Sequence, residues 1–175
     1  MESSRVNFSE ECAKQFNETA SLFLATEQAM ITVASRFARL GLESFHKYAS
    51  HCATKVRAKT ALLLEFQAKR GGRFQFSTEI AVPELPGGEE TDALRLLEWM
   101  HKAKQVMHKQ LNSVYKVAQQ NEDVVSMEFL HENVLDQLNA SIKHVKEHIG
   151  GLKNSHSAYL YDRLSLKLKV EETEE

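Results

Sequence analysis

Only two of the 175 residues are proline, Pro83 and Pro86, and both fall in the stretch from Gly71 to Glu90. Proline and paired glycine are the strongest interruptions a helix can meet, so their confinement to one place leaves long unbroken segments on either side. The segment from Leu42 to Lys69 contains neither, and its apolar side chains recur at helical spacing: Phe45, Tyr48, Ala49, Cys52, Val56, Thr60, Leu63 and Phe66. Gly71-Gly72 then stops it, because glycine readily takes the left-handed backbone angles that end a helix. A chain punctuated in this way folds as a small number of long helices with one long connection.

Five helices are predicted. The first runs from about 9 to 40, with Ser9 and Glu10 suited to its start and Phe16, Ala20, Phe23, Leu24, Met30, Val33 and Phe37 as its apolar stripe. Gly41 turns the chain into the second, 42–70. Thr91-Asp92 open the third, 91–119, which carries Leu94, Leu97, Trp99, Met100, Val106, Met107, Leu111 and Val114. Trp99 reads as a core residue or an inter-helix anchor. Asn121-Glu122-Asp123 form a turn into the fourth, 123–149, which Gly150-Gly151 are expected to stop. A short fifth helix, 157–167, precedes an acidic end, 169–175, read as solvated. The whole, 1–175, is expected to be a single domain.

The connections constrain the topology. Short links between the first and second and the third and fourth helices make antiparallel hairpins. The second-to-third link of roughly twenty residues is long for a compact domain without a helix of its own. Extended, such a link spans the length of a ~30-residue helix, so it can cross the whole bundle. The predicted class is all-α: a four-helix bundle, up-down-down-up, with a long crossover and a short fifth helix.

Charge and composition exclude several roles. A net charge of −2 argues against a dedicated nucleic-acid binder. No apolar run reaches membrane-spanning length, and Met1 to Asn7 lack the apolar core of a secretion signal, so a cytoplasmic location is expected. The two cysteines, Cys12 and Cys52, form no metal or disulfide pattern and read as small core residues.

Several short stretches, in order and with spacing kept apart from a small deletion near Gly41, carry a resemblance over about Val6 to Leu168. They are Gln15-Phe-Asn17, Leu42-Glu-Ser-Phe-His-Lys-Tyr48, Gln67-Ala-Lys-Arg-Gly-Gly72, Tyr115-Lys-Val-Ala118, Glu128-Phe-Leu130 and Ala158-Tyr-Leu-Tyr-Asp162. In these the chain resembles the ferritin family, animal-type subunits in particular. The resemblance implies self-assembly into a hollow shell of about twenty-four subunits, alone or with other ferritin subunits.

A di-iron centre in such a bundle needs inward carboxylates and a Glu-x-x-His pair. Aligned through Gly71-Gly72, the positions that the resemblance assigns to the ligands are Thr19, Val56, Lys59, Lys104 and Leu138. None is a carboxylate or an imidazole, and two are cations that repel Fe(II). The expectation is no ferroxidase activity, no catalytic residue and no iron bound at a di-iron site, with iron present only as stored mineral or at pores. Light-type ferritins keep a glutamate patch on the second helix that nucleates mineral. Here His51 to Ala61 holds no acid, and Lys55, Arg57 and Lys59 make it basic, either as a solvated or salt-bridged face or as a lining that binds anions.

Glu128, His131 and Glu132 occupy the positions near three-fold pores in the family and are weak candidates for a divalent metal or a polar rim. His144 and His148, one turn apart, suit a surface or interface better than a metal site. Lys59 and Lys104 should approach each other from facing helices, so an acid such as Glu18, Glu27 or Asp136, or the neighbouring Gln137, is expected to bridge them. Two readings of the function remain: a non-catalytic shell subunit in iron storage, or an iron-free cage with a structural, protective or chaperone-like role. A bundle enzyme built on Lys59 and Lys104 is the weakest third, since no nucleophile–base pair can be read.

Overall fold

Ser9 stands in extended backbone and its hydroxyl accepts from the Cys12 N–H at 3.0 Å, which starts the first helix, Glu10–Arg39. Glu10 and Glu11 in its first turn and Arg36 and Arg39 in its last complement the helix dipole. Gly41, at φ 75°, reverses the chain into the second helix, Glu43–Lys69. Gly71, at φ 82°, ends that helix. Asp92 caps the third, Ala93–Gln120, by accepting from Arg95 N–H at 2.8 Å. Asp123 caps the fourth, which is built of Val124–Leu130, a π-helical turn His131–Leu135, and Asp136–Ser155. The fifth comprises Ala158–Leu160 and a π-helical stretch Tyr161–Leu166. The computed structural model describes residues 7–87, 91–167 and 169–170, and no strand occurs among them.

The crossover settles the topology. Gln75 N–H donates to Asn17 Oδ1 at 2.6 Å, Ser77 N–H donates to Ser21 Oγ at 2.9 Å, and Arg36 donates to the Pro86 carbonyl. Asn17, Ser21 and Arg36 succeed one another along the first helix, so the connection climbs about 28 Å of it before the third helix begins. Trp99 holds the upper part by donating Nε1–H to the Pro83 carbonyl at 2.9 Å while its ring is buried. The second and third helices therefore run parallel, and the bundle is up-down-down-up with the fifth helix at one end.

Two apolar clusters fill it. Met30, Phe37, Phe45, Leu97, Met100 and Tyr161 belong to the one under the fifth helix. Phe16, Phe23, Leu63, Met107, Leu111 and Leu130 belong to the other. In the second, Phe66 stacks on Phe129 with centroids 4.1 Å apart and on Phe16 at 5.3 Å. Arg70 closes that end: it pairs with Asp123 at 3.2 Å and lies over the Phe8 ring at 5.1 Å.

Three expectations need correction. Gly150-Gly151 do not stop the fourth helix, which continues to Ser155 and ends at His156, in left-handed backbone at φ 59°. The glycine matters for packing instead. A Cβ on Gly151 would stand 2.6 Å from the Tyr161 ring, so its absence lets the fifth helix dock. The fourth helix is also not uniformly α-helical, as the turn at His131–Leu135 shows. Lys169 and Val170 are helical, so the acidic end begins later than 169. Glu171 to Glu175 lie outside the described residues, as do residues 1–6 of the amino-terminal stretch.

Candidate functional site

A cavity of about 440 Å³ opens between the second, third and fourth helices, with Phe23 of the first in its wall. Val56, Lys59, Lys104 and Leu138 all line it, so four of the five positions that the resemblance assigned to ligands come together around one space. Thr19 does not reach it. Its buried hydroxyl donates to the Gln15 carbonyl at 2.7 Å and accepts from Gln110 Nε2 at 3.1 Å, a polar tie between the first and third helices.

This donor set does not fit a di-iron centre. Val56, Leu138 and Phe23, the residue that the first helix contributes, offer no lone pair, Thr19 lies outside the cavity, and the two lysines present N–H donors where a metal needs acceptors. Among the described residues no group of three or more His, Cys, Asp or Glu side chains is placed to hold a metal ion.

The expected acidic bridge between the lysines is absent, which corrects that reading. Lys104 is only 2% exposed, yet its ammonium donates to Ser141 Oγ and, at 3.7 Å, to Cys52 Sγ. No ion pair of Lys104, Lys59 or Lys55 occurs among the described residues. The candidate acids are engaged elsewhere. Glu27 pairs with Arg57 at 3.2 Å, and Glu18 pairs with Lys14 at 3.7 Å. Burial and the neighbouring Glu79 raise the Glu18 carboxyl above its usual range. Asp136 is exposed and meets His131 at 3.8 Å, while Gln137 lines the cavity. The physical reason is that each acid faces another partner, Glu27 toward Arg57, Glu18 toward Lys14 and Asp136 toward the exposed His131, while Ser141 and Cys52 are the polar groups beside Lys104. Lys59 is half-buried, and burial, then the charge of Lys55, push its amine below the ordinary lysine value.

Of the histidine pair, His144 is exposed on the same cavity. His148 is buried, Nδ1 shares a hydrogen bond with the Tyr161 hydroxyl at 2.8 Å, and its ring packs edge-on to Tyr48 at 4.7 Å. Burial chiefly, with Lys169 and His144 nearby, lowers its pKa to about 4. It is a structural link to the fifth helix. Glu128, His131 and Glu132 are exposed on the outer face of the fourth helix, the last two opening its π-helical turn.

Sequence reasoning missed Ser141 and Cys52 as the partners of Lys104, and no local signal links them. It also missed Asp162, which is fully buried and accepts from the Phe45 N–H at 2.7 Å. A signal for this existed. Leu42, the residue just before the second helix, has no side chain able to cap it, so an acceptor for the first N–H groups had to come from elsewhere.

The bundle, its crossover and its end-docked fifth helix agree with what the chain resembles. The family model of the ferritin-like domain matches residues 13–155. The chain is 27% identical over 170 residues to the ferritin lower subunit of Aquarana catesbeiana, covering 93% of this chain and 96% of that one. It is 25% identical over 168 residues to the ferritin heavy chain of Echinococcus granulosus, covering 93% and 95% respectively. It is also 25% identical over 165 residues to the chloroplastic ferritin of Malus baccata var. xiaojinensis, covering 91% of this chain but 66% of that longer one. The chain belongs to the ferritin family. No helix among the described residues is long and apolar enough to cross a membrane.

Proposed function

We propose that this chain is a non-catalytic subunit of a ferritin-type hollow shell, serving iron storage in the cytoplasm either as a homomer or together with catalytic subunits. The observation that supports this reading is the cavity lined by Val56, Lys59, Lys104 and Leu138, two amines and two hydrocarbon side chains at positions that the resemblance aligns with the acids and imidazole of a ferroxidase. Iron here is cargo, oxidised by another subunit or by air, and any divalent ion met on entry is met at the rim carrying Glu128, His131 and Glu132. Purified shell should oxidise Fe(II) in air no faster than buffer does. A saturable, stoichiometric burst of oxidation overturns the reading.

A second reading, an iron-free protective or chaperone-like cage, is favoured by one specific feature. The second-helix face around Lys55, Arg57 and Lys59 carries only basic charge, and of these three only Arg57 forms an ion pair among the described residues. Iron content after co-expression with a catalytic ferritin subunit separates the two. Mixed shells that fill with iron support storage, and homomers that stay iron-free and exclude the catalytic subunit support the cage.

A further inference from the structure

We propose that the cavity among the second, third and fourth helices binds a medium-chain carboxylate, a fatty-acid-like monoanion, with its head on Lys104 and Ser141 and its chain against hydrocarbon. The head-group half of the argument starts from Lys104. Its side chain is almost wholly buried, and its ammonium makes two hydrogen bonds, one of them to a cysteine sulfur, which is a weak acceptor. An ammonium carries three donors, so one N–H remains for another acceptor. Ser141 accepts from Lys104 and keeps its own O–H to donate. The remaining N–H of the buried Lys104 and the O–H of the adjacent Ser141 form a receptor for the two oxygens of one carboxylate. A buried charge without a counter-charge is costly, and an anion that supplies the counter-charge in a low-dielectric site gains what water would not give it.

The rest of the lining selects the body attached to that head. Phe23, Val56, Met107, Val134 and Leu138 make the wall largely hydrocarbon. A fully hydrated anion such as phosphate would have to strip its water against these side chains with nothing to replace it. An anion with an apolar body buries that body instead, at roughly 25 cal/mol per Å² of apolar surface. The volume, about 440 Å³, falls within the ~300–1,000 Å³ of small-molecule sites. Lys55 and Lys59 on the same cavity add positive potential, which favours an anionic amphiphile over a neutral or cationic one. The site lies within one subunit and does not depend on the storage reading.

The test is calorimetric titration of the assembled wild-type protein at neutral pH with decanoate, 1-decanol and decylamine. Decanoate is expected to bind once per subunit, and decanol and decylamine at least tenfold more weakly. Lys104→Met, which keeps the stem and removes the charge, should lose at least tenfold in decanoate affinity and leave decanol unchanged. Leu138→Trp should block all three. Circular dichroism and light scattering check that each variant folds and assembles; if Leu138→Trp does not, the decanol comparison and Lys104→Met still decide. Absence of decanoate binding up to millimolar concentration, equal binding of decanoate and decanol, or unchanged affinity in Lys104→Met overturns the proposal.

Discussion

His148 shows how a single buried group can set a pH limit. Its imidazole is held neutral by burial between Tyr48 and Tyr161, with a pKa lowered to about 4. In the unfolded chain it titrates near ~6.5. Between those values the unfolded state binds a proton that the folded state refuses, so stability rises with pH across this window. The contribution is complete above about 6.5 and is lost as pH falls toward about 4, on the order of 3 kcal/mol in all. Thermal denaturation of wild type and His148→Gln across that range checks it, since the variant should show a flatter dependence. The spacing of His144 and His148 was visible in the chain. That one is exposed and the other buried depends on where the fifth helix lands, which no four-residue spacing contains.

At the level of the helix, two adjacent glycines behave differently because their neighbours differ. A Cβ at Gly150 meets nothing within 4 Å, whereas at Gly151 it meets Tyr161 Cε2 at 2.6 Å. Both sit inside a helix, where glycine costs roughly 0.5–1 kcal/mol relative to alanine. Gly150→Ala should therefore raise the melting temperature, and Gly151→Ala should lower it by displacing the fifth helix. The order of the two melting temperatures is the readout. Asp162 makes the second argument at this scale. It caps the second helix from 117 residues away through the Phe45 N–H. Asp162→Ala should cost about 0.5–2 kcal/mol, the usual range for a lost cap. Hydrogen exchange at the Phe45 amide should quicken more than at amides in the middle of the same helix. Equal acceleration along the whole helix would point to a general loss of packing instead.

For the molecule as a whole, the prediction concerns assembly. By family analogy the subunit should form a particle of about twenty-four copies. Light scattering at micromolar concentration should find that particle, and a result of only monomer or dimer would rule it out. Removing the residues after Asn154 should take away the fifth helix and with it the Asp162 cap on the second helix and the Tyr161 packing against Gly151. The particle should then weaken while the four long helices keep their circular dichroism signal.

The helices, their breaks at Gly41 and Gly71-Gly72 and the long crossover with its two prolines were legible in the chain. They depend on backbone preferences and on a repeat within a few neighbouring residues, and such local rules act wherever the segment ends up. That Val56, Lys59, Lys104 and Leu138 would lie near one another was implied by the family resemblance aligned through Gly71-Gly72, and they do line one cavity, whereas Thr19 from the same set does not. The surroundings of Lys104 were not legible. Whether it meets an acid, or Ser141 of the fourth helix and Cys52 of the second, depends on how three helices are seated against one another, and no single segment encodes that. The docking of Tyr161 on Gly151 and of Asp162 on Phe45 likewise joins elements distant in sequence. Those pairings are chosen by the fit of packed surfaces, and that fit exists only once the helices have come together.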